Sequence, residues 1–215
     1  MSSEAGGDAP ERAGADARES WSSPGRIPVR LADGDLDFQL RPGEDVVVHD
    51  DPEAMGRARR FREVLGRFAS GVTVVTGTWD DEPVGLTCQS FSSVSLEPPL
   101  VLFVPARTSR AWPLIRRSGR FCVNFLAADQ VELSEVMASR GMDKFAGVKW
   151  TPSPVTGSPV LEGTLAHVDC TIEGVHEAGD HYVVIGRVVD LATDVPTGPE
   201  PLLFFEGGYR TTDPG

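Results

Sequence analysis

Gly85-Leu86-Thr87-Cys88-Gln89-Ser90-Phe91-Ser92-Ser93-Val94-Ser95 is shaped like a strand but crowded with hydroxyls. Five hydroxyl side chains and one amide interrupt an otherwise extended, apolar stretch. Hydroxyls and backbone amides suit phosphate oxygens and the edges of heterocycles. The same residues would also serve an exposed, serine-rich edge strand, and composition alone leaves both open. Outward from this stretch the signals stay extended. Val72 to Thr78 before it is β-branched, and Leu100 to Val104 after it is a short apolar run. Phe121 to Leu126, Ala166 to Val175, Tyr182 to Leu191 and Leu202 to Phe205 read as further strands. Turn signals at Asp80-Asp81, Glu97-Pro98-Pro99 and Gly179-Asp180 separate them. Thr151 to Pro159, rich in Pro, Ser and Gly, reads as a surface loop.

Three helices interrupt this pattern. One begins near Asp51-Pro52, with Met55, Ala58, Phe61, Val64, Leu65 and Phe68 at helical spacing and Gly71 as its stop. A second runs from about Ser109 to Arg117, capped by Ser109. A third runs from about Asp129 to Ala138, with Asp129 as cap and Glu132 at the capping-box position. Many strands with few helices predict a mainly β fold with flanking helices, a barrel or sandwich rather than a βαβ sheet.

The chain divides unevenly. Residues 1–26 are polar and rich in Ser, Gly, Ala and Pro, with Trp21 the one aromatic, and read as disordered. Residues 27–50 alternate apolar positions (Ile27, Val29, Leu31; Leu36, Phe38, Leu40) and read as an added arm. Residues 51–215 form the main domain. At 215 residues and 40% hydrophobic, the chain has enough apolar material for a sizeable core.

Several function classes are disfavoured. The net charge is −12, and the basic residues are scattered apart from Arg57, Arg59, Arg60 and Arg62, so no nucleic acid partner is expected. No apolar run approaches the roughly 20 residues of a membrane span, and the polar start lacks the regions of a signal peptide. No membrane association and a cytoplasmic location are therefore expected. Cys88, Cys122 and Cys170 show no C-x-x-C spacing, so they read as small buried hydrophobes rather than disulfide partners or metal ligands. No G-x-G-x-x-G opens a helix, and there is no P-loop, nucleophile elbow or H-E-x-x-H.

Two further polar groups stand out. Arg107-Thr108-Ser109-Arg110 lies at a predicted helix start, where a phosphate or an ordinary serine cap would both fit. Gly179-Asp180-His181-Tyr182 makes a turn with an imidazole at its edge, placed either for a ligand or merely for solvent. Two hydroxyl-rich groups joined by one short strand favour a phosphorylated ligand lying across neighbouring strands.

From about Phe61 to Tyr209 the chain resembles the flavin reductase-like family, whose fold is the FMN-binding split β-barrel. The resemblance rests on Arg67-Phe68-Ala69-Ser70-Gly71-Val72-Thr73-Val74-Val75-Thr76, on Gly85 to Leu100, and on Phe121-Cys122-Val123-Asn124-Phe125-Leu126. Asp143-Lys144-Phe145, Gly179-Asp180-His181 and Pro201-Leu202-Leu203-Phe204-Phe205 follow in the family's order and spacing. Cys88-Gln89-Ser90-Phe91, Ser109-Arg110-Ala111-Trp112 and Phe145 to Trp150 resemble reductases of the secosteroid hydroxylase type. Many relatives carry Thr-Ala-Asn-Ser where this chain has Thr87-Cys88-Gln89-Ser90, though Gln89 offers the same amide donors as Asn.

The resemblance implies an NAD(P)H:flavin oxidoreductase. Hydride would pass from NADH or NADPH to FMN or FAD, and reduced flavin would go to a partner flavin-dependent monooxygenase. It implies that Thr87, Cys88, Gln89, Ser90 and Phe91 line the flavin ring and ribityl chain. Ser93, Thr108, Ser109 and Arg110 would hold its phosphate, and Leu114 and Ile115 would border the site. His181, the one catalytic candidate, would sit where the nicotinamide stacks. It also implies a homodimer and no metal. The alternatives are a split-barrel oxidase or oxygenase that retains its flavin, and a non-catalytic flavin- or haem-binding carrier.

Overall fold

A computed structural model describes residues 52–139, 143–193 and 199–212. The expected disordered segment (1–26) and arm (27–50) lie outside the described residues. The order is α1 (Pro52–Leu65), β1 (Ser70–Gly71), β2 (Thr73–Trp79), β3 (Glu82–Cys88), β4 (Ser92–Leu96) and β5 (Pro99–Phe103). Then come α2 (Trp112–Ser118), β6 (Arg120–Phe125), α3 (Val131–Ala138), β7 (Trp150–Pro152) and β8 (Pro159–Leu161). The chain ends with β9 (Ala166–Ala178), β10 (His181–Ala192), β11 (Leu203–Phe205) and β12 (Gly208–Arg210).

One seven-stranded antiparallel sheet, ordered β3-β2-β6-β9-β10-β5-β4, dominates. Its centre is the long β9–β10 hairpin, bent where the register slips between Ile185 and Gly186 and again between Val188 and Asp190. The strands at its two margins, β3 and β4, are joined by the short 89–91 connection, which brings the two margins together at that end. A small β1-β11-β12 sheet and the β7-β8 ribbon lie outside it. The mainly β class with flanking helices holds.

β2 shows why the sheet is buried on both faces. Its side chains alternate: Val75 enters one core with Phe103, Trp112, Ile115, Phe121 and Val184, while Val74 enters a second with Leu126, Met137, Leu161 and Leu202. α2 feeds Trp112 and Ile115 into the first core, where Trp112 and Phe121 meet Phe103 edge-on. α3, the ribbon and β11–β12 close the second.

Four local expectations need correction. α1 stops at Leu65 rather than near Gly71, because 66–68 turn and Gly71 already pairs with β11. α2 begins at Trp112, yet Ser109 still serves its start: Ser109 Oγ accepts from Trp112 N at 3.2 Å. α3 begins at Val131 behind Gln130, not Asp129; the Gln130 side chain accepts from Ala127 N instead. The Thr151 to Pro159 stretch is no mere surface loop. Ser153, Thr156 and Ser158 are buried there, and the Thr156 N–H and hydroxyl both donate to the buried Asp169 carboxylate. Thr76 and Asn124 donate to Pro159 O, while Asn124 Oδ1 accepts from Leu161 N at 2.8 Å. Buried polar groups need such partners, and this ribbon supplies them. All three cysteines are free and buried, as their sequence context predicts.

Candidate functional site

β3 stands at a margin of the large sheet and, among the described residues, pairs only with β2. Its other edge faces a cleft of about 1190 Å³. That is somewhat more than the roughly 300–1,000 Å³ of most small-molecule sites. With β3, the cleft is lined by residues of the 104–111 connection, Leu114 of α2, the end of α3, residues 143–146 and His181.

Gly85 sets the width of one wall. A side chain there would meet Met137 Sδ at 3.1 Å and the Phe145 ring at 3.3 Å, so those side chains would have to give by a few tenths of an ångström to admit one. Thr87 Oγ1 donates to Ser134 O at 2.6 Å, tying β3 to α3, and Ser134 Oγ lies 3.0 Å from the Tyr209 hydroxyl. Lys144 Nζ donates to Met137 O at 2.7 Å and to Gly85 O at 3.2 Å. One carbonyl belongs to the last turn of α3 and the other to β3, so a single ammonium satisfies both. On the far side, Ser90 Oγ lies 3.2 Å from Cys88 Sγ and donates to Val104 O.

The second and third polar groups of the sequence are laced together. Arg107 N donates to Asp180 O, Tyr182 N donates to Pro105 O, and Ala106 bridges His181. Arg107 also lies over the Tyr182 ring at 5.4 Å and reaches Glu177 and Gly179 O. The hairpin turn thus carries His181 to the same cleft as Thr108, Ser109 and Arg110. His181 Nδ1 is 2.8 Å from Asp180 Oδ1. That hydrogen bond holds the Asp180 carboxyl below the ordinary carboxylate range, so it stays ionised and keeps the ring oriented. Burial first, and then the nearby Arg110 charge, push the Lys144 ammonium below the usual lysine value.

Of the residues singled out in the sequence, Thr87, Cys88, Gln89, Ser90, Thr108, Ser109, Arg110, Leu114 and His181 border the cleft. Phe91, Ser93 and Ile115 do not. Phe91 packs on Phe125, with ring centroids 5.2 Å apart, against the first core. Ser93 is exposed on β4, and Ile115 is fully buried. Helical spacing explains the last: Leu114 and Ile115 are adjacent, so they point to different sides of α2. Lys144, Phe145, Met137 and Tyr209 border the cleft without having been assigned a role. The Asp143-Lys144-Phe145 match was the one signal pointing to two of them. Among the described residues no cluster of His, Cys, Asp or Glu could hold a metal ion, and no helix is long and apolar enough to cross a membrane.

Apolar lining, the β3 strand and a group of hydroxyls, cations and an imidazole in one cleft suit a phosphorylated heterocycle with a second ring against it. Comparison with known proteins agrees. A family model described as flavin reductase like domain matches residues 65–213. The reductase subunit HsaB of a flavin-dependent monooxygenase from Mycobacterium tuberculosis is 52% identical over 156 residues, covering 73% of this chain and 83% of that protein. An NADH-dependent flavin reductase from a Rhodococcus species is 38% identical, covering 76% of this chain and 90% of its own length. The crystal structure of nitrilotriacetate monooxygenase component B from Mycobacterium thermoresistibile superposes with a TM-score of 0.72. It is 50% identical and covers 75% of this chain and 89% of its own. With the family model spanning most of the chain and the split-barrel neighbours matching its sheet, this chain belongs to the flavin reductase-like family.

Proposed function

We propose that this chain is an NADH-dependent flavin reductase that supplies reduced flavin to a monooxygenase partner. The observation that carries the reading is the single cleft in which β3, the Thr108–Arg110 group and His181 converge. When bound, flavin supplies the ring that accepts hydride from the nicotinamide; the protein's own part is proximity and electrostatics.

The residues divide that work along the cleft. The Thr87–Ser90 backbone and the Gln89 amide edge the flavin ring. Thr108, Ser109 and Arg110 take its phosphate end. His181, steadied by Asp180, borders the space over the ring and orients the nicotinamide. Cys88 and Leu114 provide apolar surface that excludes water. None of these contacts is deeply enclosed, which suits a flavin that must leave after reduction.

The molecule works as a homodimer in this reading. Phe61, Val64, Leu65 and Phe68 form an exposed apolar face at α1 and the turn after it, with Phe68 80% exposed. Contiguous exposed apolar side chains of this kind suit an interface between protomers.

The test is oxidation of NADH and NADPH with added FMN, with added FAD, or with neither. Rapid oxidation that depends on added flavin supports a reductase and ranks both substrates. Flavin binding without turnover would instead favour a carrier, and turnover with no added flavin would favour an enzyme that retains it.

A further inference from the structure

α1 stands on the surface with its apolar side uncovered among the described residues. Residues 56–65 are all exposed except Ala58, which is half-buried. Ala58, Phe61, Val64 and Leu65 recur at three- and four-residue spacing and form one stripe. A helix of 14 residues is marginal in water unless such a stripe is packed. Cations flank the stripe. Arg60 lies four residues before Val64, and Arg62 three before Leu65, so they rise on its two sides. With Arg57 and Arg59 they make the basic concentration of a chain whose net charge is −12. The family match begins at residue 65, so nearly all of α1 lies outside it, as do residues 1–51.

Residues 31–51 have the complementary composition. They hold seven acidic residues and one basic residue, Arg41. Leu36, Phe38 and Leu40 fall on even positions, and Asp33, Asp35 and Asp37 on odd ones. An extended segment with this pattern would turn an apolar edge one way and an acidic edge the other. Laid on the stripe by its apolar edge, it would leave the acids within reach of the long arginines on either flank. Such a segment can span up to about 70 Å, whereas α1 is only about 20 Å long. Doubling back over its own helix would need a reversal just before Pro52, where the preceding residue is held extended. Crossing to a second copy needs none.

We propose that residues 31–51 of each copy lie across α1 of the other, packing Leu36, Phe38 and Leu40 on the apolar stripe and pairing acids with Arg60 and Arg62. This rests on the homodimer reading above and names the segment that forms the contact. Opposite charges fix which surfaces meet, and the apolar contact supplies the burial.

The experiment is a charge swap in the full chain, read by sedimentation velocity over a range of concentrations. The arm variant carries Asp33→Lys, Asp35→Lys and Asp37→Lys. The helix variant carries Arg60→Glu and Arg62→Glu. Each alone is expected to weaken the dimer about tenfold or more. The arm variant lowers the magnitude of the net charge, so general repulsion alone would tighten its dimer instead. Both sets in one chain should restore the dimer to within about threefold. An equimolar mixture of the two variants, one of them fluorescently labelled, should form heterodimers, because each arm then meets a helix of opposite charge. Restoration in the single chain but not in the mixture would overturn the proposal by placing each arm on its own helix. A dimer that neither variant weakens would overturn it by leaving the arm out of the interface. A monomeric unaltered chain would instead remove the homodimer reading itself.

Discussion

His181 and the three cysteines show how place decides chemistry for single residues. His181 stands half-exposed at the cleft and is braced by Asp180, and the role proposed for it is orientation of the second ring. His181→Ala is expected to lower nicotinamide oxidation about tenfold while leaving flavin affinity within about threefold. Steady-state rates and a flavin titration check this, and equal losses in both would defeat the assignment. Cys122 and Cys170 are fully buried. Burial, with the Asp169 carboxylate beside them, pushes both thiols far above the ordinary range. A raised value keeps the thiol protonated as pH rises through the usual thiol range near 8.5. Raising the pH of the native protein should therefore leave both resistant to alkylation, and labelling should appear only on unfolding. Mass spectrometry of alkylated peptides would show otherwise if either residue reacted while the fold was intact. Sequence made the cysteines' burial legible, because each sits in a strand pattern. Lys144 was visible only through the Asp143-Lys144-Phe145 match, because its anchoring comes from two carbonyls distant in sequence.

At the scale of elements, the β9–β10 hairpin depends on one close approach. A Cβ on Gly186 would lie 2.4 Å from Phe121 Cζ and 3.3 Å from Cys170 Cβ. Phe121 is fully buried and held by Phe103, so it has nowhere to move. Gly186→Ala should destabilise the protein by about 1–3 kcal/mol through overpacking, read as a lower Tm. An unchanged Tm would mean that Phe121 can shift. Farther out on the same hairpin, Arg187 pairs with Glu173 through two hydrogen bonds of 2.9 Å. The pair holds the Glu173 carboxyl below its usual range. It is partly exposed, so its worth is no more than about 1 kcal/mol. The strands of this hairpin were legible because β-branched and apolar residues alternate along them. The β7–β8 ribbon was hidden for the opposite reason. Its Pro, Ser, Thr and Gly residues have the composition of a loop, and only the buried Asp169 and Asn124 make it structure.

At the scale of the whole molecule, the apolar face of α1 and the turn after it is exposed among the described residues, and a second copy is its proposed cover. Phe68→Asp is expected to shift a dimer toward monomer, seen by sedimentation velocity, with the flavin cleft's own residues untouched. A dimer unaffected by this change would place the interface elsewhere. The fold class was legible from the succession of short strands and turns, and the family from motifs spread over most of the domain. Members of three polar groups far apart in sequence also line one cleft, the candidate site. Which of their members reach it was not legible, because Ser93, Phe91 and Ile115 are turned away by local register and helix phase.

The cleft lies along a margin of the large sheet, whereas β6 and β9 lie in its interior. Backbone groups at a margin open to solvent more readily than those between two hydrogen-bonded neighbours. Ligand arrival and departure can therefore be served by small openings at β3 while the interior strands stay closed. In amide exchange, loading the cleft should slow the labile protons of β3 and leave β6 and β9 at their global rate. Such separation lets a reductase release its product on every cycle without loosening what keeps it folded.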